Sequence, residues 1–412
     1  KNSRWGYFPS VALGWRISQE DWFHRSVKFI DDLKIRFQVG LTGNDAVRNY
    51  QYKERYTQTT GMLFGSTYTS GLSNNDVPNE HITWEKALYK NLGFDGTFFH
   101  SKFNFAIDLW HRYNYDMLQQ PTSTVPTTFG VAISDQNYGR LKSWGLEAGL
   151  GYNGTINKDF KYFASINFGV SDNKVIRKYY GAGDTAWKNP IGRRTDNGME
   201  GYKSTGIVRT QKEAEDFLIS HPGWTIDGNP LIAGYMNYED INGDGRIDAN
   251  DKTRIAPRSS SIFGMGFNLG ASWRDLKLSF NISLQVGGYE AYDKTARTPP
   301  TENARALGIW KDSWSPGHPD AKYPLINSPL ISEISDFWVR SATAMRVNNA
   351  QLSYSLPKEL SAKWKIPELR MFVTGSNLWV LINHQPYKDP ATNLAIDYPA
   401  LRTYTFGLNL SL

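Results

Sequence analysis

The 412-residue chain carries 46 Lys and Arg against 40 Asp and Glu, for a net charge of +6, and has no cysteine. The small charge excess is spread along the chain and predicts no nucleic-acid partner, and the lack of cysteine excludes a disulfide scaffold or a cysteine metal site. Aromatic residues make up 14 % of the chain, yet mean hydropathy is −0.51, which favours many strands with one apolar and one polar face. No run of about 18 apolar residues occurs, so no transmembrane helix is predicted.

Alternating apolar and polar residues, typical of strands with two different faces, recur along the whole chain. In DLKIRFQVGLTGN (32–44), apolar side chains occupy every second position from Leu33 to Leu41. FNFAIDLWHRYNY (103–115) and YTFGLNLSL (404–412) repeat the pattern. Eleven strands are predicted, near residues 8–18, 32–44, 82–95, 103–115, 141–153, 160–171, 262–272, 275–287, 346–356, 368–378 and 404–412.

Two segments between the strands are predicted to be helical. QEDWFHRSVKFIDD (19–32) follows the first strand, and TQKEAEDFLISH (210–221) lies in the longest interval between strands. Thr210 is a favourable N-cap for the second segment, because its hydroxyl can accept a hydrogen bond from a free backbone N–H of the first turn.

The connections between the predicted strands alternate between short and long. Short joins fall at 96–102, 154–159, 273–275 and 357–367, and long joins at 43–81, 119–140, 172–261, 288–345 and 379–401. Strict alternation is typical of a transmembrane antiparallel β-barrel with brief periplasmic turns and long extracellular loops. Because bacterial single-chain barrels have an even number of strands and an open sheet edge is not stable in lipid, eleven strands predict the second half of a larger barrel.

A soluble β-sandwich or β-propeller would also contain alternating strands. Those folds predict shorter strands, with a turn about every 8–12 residues, and a propeller predicts a blade-length repeat that the sequence lacks. The strands predicted here are longer and have aromatic residues near their ends, including Phe8, Trp15, Trp84, Trp110 and Tyr115. Interfacial girdles of this kind favour the membrane barrel.

The segment YEDINGDGRIDANDK (238–252) has the spacing of a calcium-binding loop, with Gly245 at the position of the sharp turn. The ligands at positions 1, 3, 5, 7, 9 and 12 would be Asp240, Asn242, Asp244, the carbonyl of Arg246, Asp248 and Asp251. We expect Ca²⁺, or Mg²⁺ because Asp251 is shorter than the usual bidentate Glu. The ion would brace the long extracellular loop 172–261, with 240–251 as its cation-binding segment. A metal-free Asx-rich turn is the alternative.

Five tryptophans fall in predicted extracellular segments: Trp187, Trp224, Trp310, Trp314 and Trp338. Exposed tryptophan is uncommon without a binding role. An indole face can stack on the C–H face of a sugar, or contact a peptide or a partner protein. The alternative is that these residues pack the loops against each other.

Enzymatic motifs are scarce in this sequence. There is no G-x-S-x-G, H-E-x-x-H or P-loop, and the seven histidines are scattered. An outer-membrane enzyme would need a clustered triad or carboxylate pair, which no spacing here indicates. We therefore predict that the protein is not an enzyme.

Eight phrases occur in a recognisable order: WGYFPSVALGWRIS (5–18), DLKIRFQVGLTGN (32–44), WEKALYKNLGFD (84–95), EDINGDGRIDANDK (239–252), DSWSPGHPDAKYP (312–324), RVNNAQLSYSLP (346–357), RMFVTGSNLW (370–379) and RTYTFGLNLSL (402–412). Together they resemble the C-terminal half of the SusC/RagA family, TonB-dependent transporters of the Bacteroidetes outer membrane. The resemblance implies an all-β, 22-stranded barrel around an N-terminal plug. Residues 1–412 would be the C-terminal part, with the plug and first strands outside this chain.

The same resemblance implies a function. Members of this family actively import large nutrients, typically glycans and in some cases oligopeptides. The energy comes from TonB, through the N-terminal part, and a SusD-like surface lipoprotein acts as a lid. The acidic loop matches the family's divalent-cation site from Asp240 to Asp251. A non-transporting surface adhesin barrel in the same lipid bilayer is the rival hypothesis.

Overall fold

The structure, a computed structural model, describes residues 5–74, 76–121, 125–181, 188–301, 307–364 and 368–411. Among these residues, eleven strands form one large antiparallel sheet in which the strand order follows the chain order. The strands are β1 Ser10–Trp15, β2 Ile30–Asn44, β3 Glu85–Phe98, β4 Phe103–Gln119, β5 Gln136–Thr155, β6 Phe160–Arg177, β7 Phe263–Trp273, β8 Leu276–Val286, β9 Ala344–Ser355, β10 Glu368–Ile382 and β11 Thr403–Ser411. All eleven predicted strands are confirmed, and β1 and β11 lie at the two ends of the order.

Short elements occupy the connections. The α-helices are α1 Asp21–Ser26, α2 Gln211–Ser220, α3 Lys294–Arg297 and α4 Lys358–Trp364. A hairpin pairs Tyr56–Phe64 with Thr67–Asn74. Further short strands are Asp76–Val77, Ala132–Ile133, Met199–Gly201, Ser204–Ile207, Thr225–Ile226, Asn229–Pro230, Met236–Tyr238, Arg246–Ile247, Thr253–Ala256, Tyr289–Ala291 and Val339–Ser341.

Both helix predictions are confirmed, although α1 is shorter than its predicted segment. The side chain of Thr210 accepts a hydrogen bond from the N–H of Glu213 at 3.2 Å, as its predicted N-cap role requires. In the described part of the chain, no helix has the length and apolar character needed to cross a bilayer.

The chain divides into two compact units, Lys1–Gly151 with Gly169–Thr195 and Tyr152–Phe168 with Asp196–Leu412. In the second unit, the strand registers align residues of like polarity in rows across β8 to β11. One row on the apolar face, here called the outer face, contains Leu278, Leu352, Val373 and Phe406. The adjacent row on the opposite, inner face contains Ser279, Gln351, Thr374 and Thr405.

The outer face is exposed although it is apolar. Val373 is 46 % exposed and Phe406 is 67 % exposed. A continuous apolar face of this size is unfavourable against water, whereas the hydrocarbon core of a bilayer matches it. The alternation therefore places the outer face against lipid.

The first unit has the same two faces. Its outer face aligns Phe94 with Ile107 across β3 and β4. On the inner face, the guanidinium of Arg36 contacts the carboxylates of Asp95 at 2.6 Å and Asp108 at 3.0 Å. Charged side chains are costly in lipid even when they are paired. The face that carries this ion-paired network therefore meets water.

We expect Val373→Lys to destabilise the folded barrel by about 2–4 kcal/mol, because Val373 lies on the outer face near the middle of β10 and a lysine there would enter hydrocarbon. The matched variant Thr374→Lys places the same charge on the inner face and should change stability by less than about 0.5 kcal/mol. Denaturant unfolding in lipid vesicles measures both. Equal destabilisation would contradict the assignment of the two faces.

Candidate functional site

The hydrophobic core of the second unit lies in its connections rather than under the sheet. Buried apolar residues from the β6–β7 and β8–β9 connections form one cluster, here called the loop core. Its members are Tyr202, Ile207, Val208, Ala214, Trp224, Ile226, Leu231, Tyr235, Met236, Tyr238, Ile247, Tyr292, Ala296, Trp310, Trp314, Ala321, Tyr323, Ile331 and Trp338. The two long connections therefore fold together as one packed body.

Four of the five tryptophans considered for ligand contact lie in this loop core. Trp338 is 0 % exposed, and its ring centroid lies 5.8 Å from that of Trp310. Their indole N–H groups donate to the carbonyls of Ile331 and Ala296 at 2.8 and 3.0 Å.

Trp224 and Trp314 are also buried. Their indole N–H groups donate to the side chain of Asn237 and to the carbonyl of Arg209, each at 3.1 Å. The alternative of loop packing thus accounts for these four tryptophans, whereas Trp187 lies outside the described residues.

The base of the β6–β7 connection is closed by Asp196. Its carboxylate accepts backbone N–H bonds from Ser259 at 2.8 Å, from Ser260 at 2.6 Å and from Gly198 at 3.1 Å. Burial acts to raise the pKa of Asp196, but these donors and the Ser260 hydroxyl outweigh it and hold the pKa below its usual range. The carboxylate is therefore charged at neutral pH and ties the two ends of the connection together.

The predicted calcium loop is a tight turn that closes on its own backbone. Asp240 accepts N–H bonds from Gly243 and Gly245, both at 2.7 Å, and both glycines have a left-handed φ, of 79° and 76°. Partial burial acts to raise the pKa of Asp240, but these donors outweigh it and lower the pKa. Asp244 accepts from the N–H of Arg246 at 2.9 Å.

The end of this loop is anchored in the loop core. Asp251 is 0 % exposed and accepts N–H bonds from Ile241 at 2.9 Å and from Asp248 at 2.7 Å. Ile247 is 1 % exposed and pairs in parallel with Ile226. Asp251, predicted as the last ligand, therefore closes the turn by hydrogen bonding.

The donor set of this loop fits a divalent cation by its chemistry. It consists of carboxylate, amide and carbonyl oxygens, which Ca²⁺ prefers, and a carboxylate that accepts two N–H bonds retains further acceptor sites. Within the described ranges, however, no group of three or more His, Cys, Asp or Glu side chains converges as a metal-binding cluster. For an ion to bind, the side chains of Asp240, Asp244 and Asp248 would have to turn towards a common centre.

A second candidate site lies on the inner face of the first unit. A cavity of about 1130 Å³ is lined by residues that include Phe8, Tyr89, Trp110, Arg112 and Glu147. These side chains combine two charges with aromatic surface, a composition suited to a polar cargo with apolar faces.

This cavity corrects the interpretation of Trp110 as an interfacial girdle residue. Trp110 pairs with Asn91 and Asn91 with Gln38, so all three belong to the polar face. The two-residue period of the strand predicts the inner face for Trp110, because Trp110 follows Asp108 by two positions. The aromatic identity of the side chain suggested the opposite face.

A large antiparallel sheet with one apolar and one polar face, and a cavity on the polar face, is typical of outer-membrane β-barrel proteins. The model of the family "TonB dependent receptor-like, beta-barrel" matches residues 1–378, and the chain belongs to this family of receptors. The predicted SusC/RagA resemblance and the outer-membrane location are confirmed.

Two characterised relatives match the whole chain. TonB-dependent receptor SusC of Bacteroides thetaiotaomicron is 27 % identical to it and is matched over 40 % of its own length. TonB-dependent receptor P3 of Formosa agariphila is 25 % identical and is matched over 42 % of its length. The chain thus spans about two-fifths of these relatives.

Solved structures share the fold. The structure of the RagAB peptide transporter has a TM-score of 0.75 at 22 % identity, over 100 % of this chain and 44 % of that one. The RagAB peptide importer in its open-open state has a TM-score of 0.78 at 22 % identity, over 100 % and 43 %. At this identity the likeness concerns the fold alone.

We expect Trp338→Ala to destabilise the loop core by about 3–5 kcal/mol, because it removes a fully buried indole and leaves a cavity. Hydrogen exchange should therefore accelerate in Met236–Tyr238 and Val339–Ser341 while β8 to β11 keep their protection. Ile219→Ala, at a side chain that is 78 % exposed on α2, is the matched control and should have no effect. Unchanged exchange in Trp338→Ala would mean that the two connections do not share a core.

Proposed function

We propose that this chain is part of a TonB-dependent outer-membrane importer of large nutrients, with glycans or oligosaccharides as the leading cargo class. The observation that carries the proposal is the inner-face cavity on an antiparallel sheet whose outer face suits lipid. An oligopeptide cargo is the alternative within the same family, because RagAB, whose fold this chain shares, is a peptide transporter.

The inner-face cavity supports a polar cargo with apolar faces. Tyr89 and Trp110 offer aromatic surface for the C–H faces of sugar rings, and Arg112 offers hydrogen-bond donors. The indole nitrogen of Trp110 is buried and has no hydrogen-bond partner among the described residues. Trp110 therefore offers a cargo the face of its ring rather than its N–H.

The two ends of the strand order support a larger barrel. Among the described residues, β1 and β11 each have one neighbour in the sheet, and the free edge of a sheet is unstable in lipid. We infer that further strands of the natural polypeptide pair with both edges, to give a closed barrel of 22 strands around a plug. TonB would act through that additional part.

A SusD-like surface lipoprotein is the proposed lid. The loop core supports this partner, because one packed body offers a firmer docking surface than separate mobile loops, and ordering loops on binding would cost affinity. The two long connections that build this body alternate with the short turns, and they therefore lie on the extracellular side.

Deletion of the gene in its natural host tests the proposed import. We expect loss of growth on one class of glycan from a panel of glycans and peptides, with growth on monosaccharides unchanged. Complementation with Arg112→Gln should give reduced uptake, because one charged donor of the cavity is removed, and Lys102→Gln, in the short β3–β4 turn, should restore uptake fully.

Two outcomes would contradict import of a glycan. Growth lost on peptides alone would assign the oligopeptide cargo. Unimpaired growth on the whole panel, combined with lost adhesion to a surface glycan, would favour the non-transporting adhesin barrel.

We also propose that the loop 240–251 binds a divalent cation, Ca²⁺ before Mg²⁺, through Asp240, Asn242, Asp244, the Arg246 carbonyl, Asp248 and Asp251. The support is the oxygen-only donor set at calcium-loop spacing. The ion would hold the turn and, through Ile247 and Asp251, the loop core beside it. Lys252 extends this link, because its ammonium contacts Glu333 of the β8–β9 connection at 3.4 Å.

Chelation tests the cation. We expect EDTA to increase protease cleavage within 172–261 while the barrel stays folded, and Ca²⁺ addition to reverse the effect. Asp244→Ala should have the same result, but it also removes the acceptor of the Arg246 N–H. Chelation of the wild-type protein is therefore the decisive arm. Asp320→Ala, an exposed acid in the β8–β9 connection, is the control, and cleavage that is indifferent to EDTA would leave the metal-free Asx turn as the correct interpretation.

A further inference from the structure

Basic side chains interrupt the outer face of the first unit near the long-connection end of β3 and β4. Moving along these strands from the short turn, the outer-face pairs are Phe94–Ile107 and Leu92–Leu109, which are apolar. The next pairs are Lys90–His111, Leu88–Tyr113 and Lys86–Tyr115. The apolar band therefore gives way to a mixture of cations and aromatic rings.

The neighbouring strand β5 adds to this patch. The ammonium of Lys142 lies 5.9 Å from the ring centroid of Tyr113, which places it on the outer face. Leu141, Ser143 and Glu147 line the inner-face cavity instead. Because side chains alternate along a strand, Arg140 and Trp144 share the outer face with Lys142.

The positive charge of this patch is largely uncompensated. Lys86 is paired with Asp116 at 3.1 Å. The acids Asp95 and Asp108 bind Arg36 on the inner face. Lys90, Arg140 and Lys142 are exposed, and none of them has an acidic partner within ion-pair distance in the described parts of the chain.

Cations on a lipid-facing surface are unfavourable unless an anion or water meets them. Short turns of such barrels lie in the periplasm and long connections outside the cell, so this patch lies at the level of the outer-leaflet headgroups. Lysine and arginine are the usual partners of phosphate. The rings of Tyr113 and Tyr115 stack at 5.7 Å between their centroids and present apolar surface of the kind that packs on sugar rings.

We propose that the patch formed by Lys90, Arg140, Lys142, Tyr113 and Tyr115 is a binding site for the phosphorylated glycolipid of the outer leaflet. The cations bind the phosphate of its headgroup and the tyrosines pack against its sugar. The site is separate from the cargo cavity, which lies on the opposite face. It depends on the outer-membrane location of the chain and not on the identity of the cargo.

The test uses the intact natural polypeptide in phosphatidylcholine nanodiscs that contain equal fractions of one probe lipid. The probes are monophosphoryl lipid A, its dephosphorylated form, and phosphatidylglycerol. Native mass spectrometry measures which probe stays bound when the disc lipids are removed. We expect selective retention of monophosphoryl lipid A.

The variant Lys90→Gln with Lys142→Gln should lower this retention on the order of tenfold or more, because each cation near an anionic headgroup contributes substantially to binding. The matched control removes two exposed lysines at the short-turn end, Lys28→Gln with Lys102→Gln, and should retain the lipid as the wild type does. Heat-modifiable electrophoresis verifies that both variants fold.

Two further arms keep the test decisive if the glutamine variant does not fold. Lys90→Arg with Lys142→Arg preserves the charge and should preserve retention, and retention by the wild type should fall as salt rises. Full retention by the glutamine variant would overturn the proposal, as would insensitivity to salt. Equal retention of the dephosphorylated form would exclude phosphate recognition, and equal retention of phosphatidylglycerol would exclude recognition of the sugar.

Discussion

The antiparallel backbone ladder is the interaction on which the rest of this structure depends. A strand in a bilayer has no water to satisfy its N–H and C=O groups, so each strand must bond to a neighbour along its length. Once the ladder is fixed, every second side chain faces lipid and the others face the interior. One apolar row then forms, because the strand registers place four apolar side chains on the same face of the sheet: Leu278, Leu352, Val373 and Phe406.

This arrangement moves the hydrophobic core of the second unit away from the sheet. In a soluble sheet protein the apolar face would pack against a second layer, whereas here it is used for the membrane. The buried aromatic residues are found in the connections, where Trp310 and Trp338 pack with Tyr323 and Tyr292. Sheet and loop core are thus stabilised by different solvents, lipid for one and water for the other.

The strands could be predicted from sequence because period-two alternation is local information. Helix α2 was equally predictable, since Thr210 and the residues that follow it carry their own capping signal. The burial of Trp314 was not predictable in this way, because its indole N–H bonds to the carbonyl of Arg209, 105 positions away in the chain. The same limit applies to the acidic loop: spacing predicted its turn, but not that both oxygens of Asp251 accept backbone N–H groups.

The shared core of the two long connections has a consequence for how such proteins diverge. A substitution at Trp224 in one connection alters the cluster to which Trp314 and Tyr323 of the other connection also belong. Substitutions in the two segments are therefore coupled, and we expect correlated substitutions between the segments among members of the family. A chimera that exchanges these connections would have to transplant both segments as a pair, because either one alone would pack poorly against the connection left in place.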